Sequence, residues 1–313
     1  MSRHDCYAER TYYLVDGDSD ELDDVLRPIF LDSALVAKCQ ITSYNSVLWA
    51  RVLLQTAHWF YAYFQAVAQT AEKSDDSSRW PRVSIAVPTG ACGNLTAGVM
   101  AKLLGLPIDI VVCVGKNTAV VDFITSGELT HTSVQPSLAN SMDIQVPYNF
   151  ERILYFLSGS DHRLVADVMR RFYNGGETNV ALPDQLKTEL QLWFRTYSAD
   201  DEEICSAIHH CYIQRGYTIC PHTATVYAYS RAHATDRPLV IVCTASPEKF
   251  PQALTRANVR CVNSDRVATL HQLSPANVQY LKRSTGGNEE GRDFIQYWYE
   301  TIRTKVLGLG GSE

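Results

Sequence analysis

The chain has 313 residues, with 28 Lys plus Arg against 34 Asp plus Glu for a formal net charge of −6, and 46% of it is hydrophobic. That length suffices for one large domain or two ordinary ones around a real core, while basic residues scattered singly through an acidic chain argue against nucleic acid as a partner. The N-terminus MSRHDCYAERTYYLVDGDSD has neither a basic n-region nor an apolar core, and no later apolar run reaches the length of a membrane span, so a soluble cytoplasmic or organelle-matrix protein is expected.

Asp18 followed by Glu21 has the pattern of a capping box opening the helix ELDDVLRPIF. A longer helix is predicted from about Ser46 to Ala71, where Val47, Trp49, Leu53, Ala57, Phe60 and Phe64 recur near helical spacing and Trp59, Tyr61 and Tyr63 make it aromatic almost all round. Such a helix is expected to be buried in a core or domain interface. The polar stretch EKSDDSSRWPR (72–82) ends it, and the change in composition predicts a domain boundary near residue 80.

After that boundary come the apolar run VSIAV (83–87), the loop PTGACGNL (88–95), a helix to about residue 105, the turn GLP and the run IDIVVCV (108–114). Strands apolar throughout, joined by a helix, read as a βαβ unit of a parallel sheet covered on both faces. The fold class is therefore α/β. Four helices are predicted next, over residues 150–159, 161–175, 184–198 and 200–216, and PLVIVCTAS (238–246) reads as a last strand returning to the sheet. No internal repeat is visible.

Nine cysteines (6, 39, 92, 113, 205, 211, 220, 243 and 261) form an odd, dispersed set, which reads as buried reduced thiols of an intracellular protein. Cys205 and His209 share a helix face, with Cys211, Cys220 and His222 nearby, and soft ligands in that number could hold zinc. The spacing matches no standard finger or knuckle, and His209, His210 and Cys211 point in different directions as neighbours. Packing is the expected role, and no metal is assigned.

In the loop, Gly90 and Gly93 have no Cβ and allow consecutive N–H groups to approach an anion. The helix that follows adds its unpaired first-turn amides and positive dipole end, beyond the carboxyl end of a strand. The motif is neither GxGxxG nor a P-loop, so by itself it fits a plain strand-to-helix turn as well as a phosphate site.

The loop and its surroundings, VPTGACGNLTAGVMAKLLGLPI, resemble the phosphate loop of the threonine synthases, which are pyridoxal phosphate (PLP) enzymes of the tryptophan-synthase-β fold type, PLP fold type II. Further blocks match in order: residues 17–30, 43–55, 136–159, 220–229 and 243–254. Where those synthases usually read GNFGD, this chain has Ala91, Cys92 and Asn94 in place of Asn, Phe and Asp. PTGACGNL with SMDIQVPYNFER looks more like the animal threonine synthase-like 2 proteins. That resemblance implies a phospho-lyase acting on a small phosphorylated amino acid such as O-phosphohomoserine, releasing phosphate and giving a keto acid.

The resemblance places the PLP-phosphate contacts on Gly90, Ala91, Cys92 and Asn94, largely through backbone amides, with Gly93 keeping the turn. It places Thr244 of CTASP opposite the pyridine nitrogen, where a neutral hydroxyl is expected to leave that nitrogen unprotonated. His222 and Thr223 fall in a block near the cofactor, Asp143 falls near the active-site wall or caps a helix, and Leu48 stands where the family commonly has asparagine.

A PLP enzyme needs a lysine to anchor the cofactor and move protons. In this family it lies in a Phe-Lys-Asp stretch upstream of an SGDTGS-type loop that grips the substrate carboxylate. None of the eight lysines here (38, 73, 102, 116, 187, 249, 282 and 305) has that context, and Lys249 matches a different lysine of the family. Similarity begins at about Tyr13, so the chain is expected to be the C-terminal part of such an enzyme. Residues 1–80 would be a remnant of the smaller domain with an interface helix, and 81–313 the large PLP-phosphate-binding domain. Residues 13–80 would then expose apolar surface, inviting a partner or aggregation, and a homodimer is among the expected partners. Two functions follow from the resemblance: a phospho-lyase represented in part, with little turnover of its own, or a non-catalytic binding or regulatory protein that keeps the phosphate cup.

Overall fold

In the computed structural model, which describes residues 12–71, 80–174, 179–261, 278–283 and 293–309, the chain begins with strand β1 (Tyr12–Val15), helix α1 (Ser19–Leu31) and helix α2 (Ser33–Cys39). Helix α3 (Trp49–Ala71) leads to β2 (Val83–Pro88), α4 (Gly93–Leu103), β3 (Ile108–Val114), α5 (Ala119–Ser126) and β4 (Glu128–Thr130). Then come α6 (Phe150–Leu157), α7 (His162–Asn174), β5 (Asn179–Ala181), α8 (Asp184–Trp193), β6 (Phe194–Ser198), α9 (Asp201–Arg215) and α10 (Pro221–Ala232). Strand β7 (Leu239–Ile241), α11 (Pro251–Arg256), β8 (Val278–Leu281) and α12 (Asp293–Leu309) follow.

The elements form two compact units, one of Met1–Ser43 with Asn263–Glu313 and the other of Tyr44–Val262. In the first, β1 and β8 pair in parallel from Tyr12↔Val278 to Val15↔Leu281. Val25, Leu281 and Trp298 are its buried core. The capping box at α1 is present, with the Glu21 amide donating to Asp18 at 2.9 Å and the Asp18 amide to Glu21 at 3.0 Å.

The second unit is built on a four-stranded parallel sheet in the order β6-β3-β2-β7. Val83, Ile85 and Val87 of β2 and Ile110, Val112 and Val114 of β3 belong to the main core, while Ala86, Val111 and Cys113 pack with Val226 and Tyr229 of α10. Burial on both faces is why these strands read as nearly continuous apolar runs, interrupted at Ser84 and Asp109 near their starts. All four strands point the same way, so the loops after β2 and β7 leave one edge of the sheet side by side.

Several expectations need correction. The units divide at Ser43/Tyr44 and Val262/Asn263 rather than near residue 80. The reason is α3, which packs along α4 and so belongs with the sheet. That helix starts at Trp49 and buries a stripe, Val52, Thr56, Trp59 and Tyr63, while Leu54 is 76% and Tyr61 64% exposed. Its aromatic content therefore does not put it inside. The helix predicted over 184–198 stops at Trp193, and Phe194–Ser198 extends to pair with β3 from Ile110↔Phe194 to Val114↔Ser198. Ladder bonds to β3 outweigh the local helical pattern there. The last strand of the sheet is only Leu239–Ile241. Of the polar stretch 72–82, residues 72–79 lie outside the described ones, as do Cys6 and Lys73. Among the described residues no helix is long and apolar enough to cross a membrane.

Candidate functional site

Strand β2 ends with its ladder intact: the Thr89 amide donates to Cys113 O at 2.8 Å. Beyond it the backbone turns through Cys92, which has φ 64° and ψ 11°, and enters α4 with no side-chain cap. The left-handed residue is thus Cys92 and not one of the glycines. Among the described residues, none of the amides of Gly90, Ala91, Cys92, Gly93, Asn94 and Leu95 donates to a protein acceptor, and the Thr96 amide is the first that does, to Cys92 O at 2.9 Å. Free amides around a left-handed turn, at the positive end of a helix, form an anion cup.

The glycines let other segments close in. A Cβ on Gly90 would stand 3.2 Å from Met142 Cα and 3.3 Å from Ser141 O, and one on Gly93 would stand 2.4 Å from Ser46 Cβ. Gly93 is needed less for its backbone angles than because Ser46 lies against it. The Asn94 side chain turns away from the cup to accept from Trp59 Nε1 at 2.8 Å, so only its amide is offered.

Asn149, fully buried, pins the loop from the other side. Its Nδ2 donates to Ala91 O and to Ser46 Oγ, both at 2.8 Å, and its Oδ1 accepts from Arg152 Nη1 at 2.6 Å. Arg152 also donates to the carbonyls of Ser46 (2.6 Å) and Val47 (2.8 Å). Residues 46 and 47 are strapped beside the cup, and Leu48, next in line, is 39% exposed at the start of α3. Asn149 carries a recognisable signal, an Asn just ahead of an amphipathic helix, but that signal reads as an N-cap. The side chain makes no cap bond.

Next to the cup across the sheet edge, Thr244 follows β7. Its amide donates to Thr223 Oγ1 at 3.2 Å and its hydroxyl lies 3.5 Å from Cys220 Sγ. Cys220 is the N-cap of α10 and receives the Thr223 amide at 3.4 Å, with Thr223 Oγ1 at 3.2 Å. Burial pushes its thiol up, but hydrogen bonds from His222, the Thr223 and Thr244 hydroxyls and the Thr223 amide bring it down to about 6. Burial alone drives the Cys92 thiol well above its usual range. His222 is 4% exposed, accepts from the Ser141 amide at 3.1 Å and stacks edge-on against Phe250. His222, Thr223 and Thr244 are thus brought together, with Cys220 as a further member, which sequence reasoning weighed as a buried packing thiol or a metal ligand.

Asp143 is part of a clamp. Its carboxylate accepts from Ser137 N (2.9 Å), Ser137 Oγ (2.5 Å) and Asn117 Nδ2 (2.7 Å), which ties residues 117 and 137 to the segment behind Gly90. Lys116 is held by Asp201 at 3.2 Å. The cysteine and histidine set does not assemble. His209 bonds Ala257 O at 3.0 Å, and among the described residues no three His, Cys, Asp or Glu side chains could hold a metal ion.

The donor set suits a phosphate monoester such as that of pyridoxal phosphate: six free amides, a helix N-terminus and no carboxylate between residues 89 and 95.

No family model matches the chain. It is 39% identical to "Threonine synthase-like 2" of Homo sapiens over 251 residues, 78% of this chain and 50% of that protein. It is 39% identical to "Threonine synthase-like 2" of Mus musculus over 299 residues, 94% of this chain and 58% of that protein. The "Threonine synthase" of Pseudomonas aeruginosa is 30% identical over 248 residues, 78% of this chain and 50% of that protein. Among solved structures, the PLP-bound threonine synthase from Brucella melitensis matches with a TM-score of 0.73 and 25% identity, over 94% of this chain and 59% of that one. Yeast threonine synthase shares the fold at a TM-score of 0.72 and 22% identity, over 94% and 59%. The chain spans about half the length of the curated relatives it matches.

Proposed function

Because the chain belongs to the threonine synthase family and has its α/β, PLP fold type II architecture, we propose that it provides the phosphate-holding and ring-holding part of a pyridoxal phosphate site in a threonine synthase-like phospho-lyase. The substrate class is an O-phosphorylated amino acid such as O-phosphohomoserine. The cup of free amides from Gly90 to Leu95 carries this reading. When bound, pyridoxal phosphate supplies an electron sink for bonds broken at the substrate α-carbon, ahead of phosphate loss and keto-acid formation.

The chain's own residues have distinct tasks. Amides 90–95 hold the phosphate ester, Asn149 fixes the loop by donating to Ala91 O, and Thr244 offers its hydroxyl to the ring nitrogen. Asp143 fixes the neighbouring wall through Ser137 and Asn117. A cytoplasmic location and a homodimer belong to the same reading.

A non-catalytic binding role for this polypeptide alone is the second reading, favoured by what its lysines do. Lys116 pairs with Asp201, Lys102 lies 4.5 Å over the Trp193 ring, and Lys187 lies against Gly127. With no Phe-Lys-Asp context in the sequence, little turnover is expected from these 313 residues.

The test adds pyridoxal phosphate to the purified chain, reduces with borohydride, maps modified lysines by mass spectrometry and measures phosphate released from O-phosphohomoserine. Cofactor retained in competition with inorganic phosphate, no single modified lysine and near-background release are expected. A stoichiometrically modified lysine sinks the non-catalytic reading, and failure to retain the cofactor sinks the cup assignment.

A further inference from the structure

We propose that helix α3 pairs with α3 of a second copy of the chain, antiparallel about a two-fold axis at the level of residue 59. The inference gives the homodimer of the proposed function its surface, and it rests on that part of the reading.

The 23 residues of α3 contain one charged side chain, Arg51. A helix that lies on a protein surface usually carries charged and polar residues on its outer face. Here Val52, Thr56, Trp59 and Tyr63 are buried on the inner face. A second apolar row, Ala50, Leu54, Ala57, Tyr61, Phe64 and Ala68, runs along the outer face, and every member is exposed. Its steps alternate between four and three residues, the heptad spacing of a seam between helices. At about 100° per residue the six lie within about 80° of one another, opposite the buried row. The exposed Trp80 meets Phe64 edge-on at 5.4 Å and widens the patch.

An uncharged apolar row fits another of its kind, and this one complements itself. Reversing the helix about residue 59 sets position 57 opposite 61, 54 opposite 64 and 50 opposite 68. Each tyrosine then lies over an alanine of the other copy, and each leucine meets a phenylalanine. A parallel pair would instead stack Tyr61 on Tyr61 and leave Ala57 facing Ala57 across a gap. Arg51 flanks the row and in the antiparallel pair comes level with Gln65 of the other copy, so the two arginines stay apart. At their fractional exposures, Leu53, Leu54, Tyr61, Phe64 and Trp80 together offer roughly 500 Å² per copy, about 1,000 Å² in a pair, which meets the lower bound of a specific interface.

The full chain is followed by analytical ultracentrifugation across the micromolar range. A monomer–dimer equilibrium with a Kd on the order of micromolar is expected. Leu54→Glu and Phe64→Lys alter exposed positions, so each should keep the circular dichroism spectrum of the wild type while weakening dimerisation by about a hundredfold or more. Mixed together, the two variants should dimerise again, because the antiparallel register sets position 54 of one against position 64 of the other and leaves the second such layer unchanged. A monomeric wild type overturns the proposal and the homodimer with it; a thermal midpoint lowered by Leu54→Glu in that monomer would mean that the face is covered from within the chain. A dimer undisturbed by either variant overturns the seam and leaves the homodimer standing. Variants that stay monomeric when mixed overturn the antiparallel register, and assembly beyond a dimer overturns the closed two-fold pair.

Discussion

Replacing Asn149 with alanine removes one side chain that holds three pieces of the site. The lost bonds are those to Ala91 O (2.8 Å), Ser46 Oγ (2.8 Å) and Arg152 Nη1 (2.6 Å). Two neutral hydrogen bonds contribute about 1 kcal/mol each, and one to a charged group about 1.5–3 kcal/mol. Arg152 is half-buried and keeps the carbonyls of Ser46 and Val47, and Ala91 O keeps the Asn149 amide at 3.2 Å. Discounting the charged bond for that, the net loss is about 3 kcal/mol. For a unit of this size that lowers Tm by roughly 6–12 °C. Urea unfolding followed by far-ultraviolet circular dichroism measures the stability, and isothermal titration with pyridoxal phosphate measures the cup. Both should weaken, the affinity by about tenfold for each 1.4 kcal/mol of cup geometry lost. A stability loss under about 1 kcal/mol refutes the idea that these bonds hold the loop. Normal affinity in a destabilised variant refutes the idea that Asn149 shapes the cup.

Gly98→Ala places a Cβ 2.5 Å from Trp59 Cζ2 and 2.6 Å from Cη2; overpacking of this kind should cost about 1–3 kcal/mol, read as a lower urea midpoint. Asp143→Asn replaces an acceptor of three donors with a group that itself donates, so about 1–3 kcal/mol should be lost as one donor goes unpaired, and proteolysis near residues 135–145 should accelerate. The Cys220 thiol falls from 9.0 to about 6 on folding, so unfolding between those values takes up a proton. The stability it contributes is full above pH 9, declines as the pH drops and is gone once the pH has fallen through 6. The slope is at most about 1.4 kcal/mol per pH unit; Cys220→Ser should abolish it, and an identical slope in that variant would rule the thiolate out as its source.

The parallel strands were legible because a strand buried on both faces needs apolar residues at nearly every position, and VSIAV and IDIVVCV have them everywhere but at Ser84 and Asp109, each second in its run. The capping box at Asp18 was legible because it is made within four residues. Strand β6 was not, since nothing between Trp193 and Phe194 marks a break, and only the free edge of β3 decides that FRTYS extends. The cup could be read from its glycines, but its conformation could not. Its left-handed residue is a cysteine, and the contacts that shape it come from Ser46 and Asn149, 47 and 56 residues away from Gly93 along the chain. Cys220 illustrates the limit most clearly: its chemistry depends on Thr223 beside it and Thr244 on another strand end, a convergence that sequence distance conceals.

The hydrogen bond from the Trp59 indole to Asn94 gives the protein an optical gauge of its own loop. Trp59 is 1% exposed and rests on Gly98, and Trp298 at 0% also emits at the blue edge of the tryptophan band, so the part of that emission lost in Trp59→Phe reports a side chain bonded to the second residue of α4. Any anion that draws the amides of residues 93 and 94 toward itself tugs on that bond. Occupancy can therefore be followed without a label, and Trp59→Phe identifies the signal.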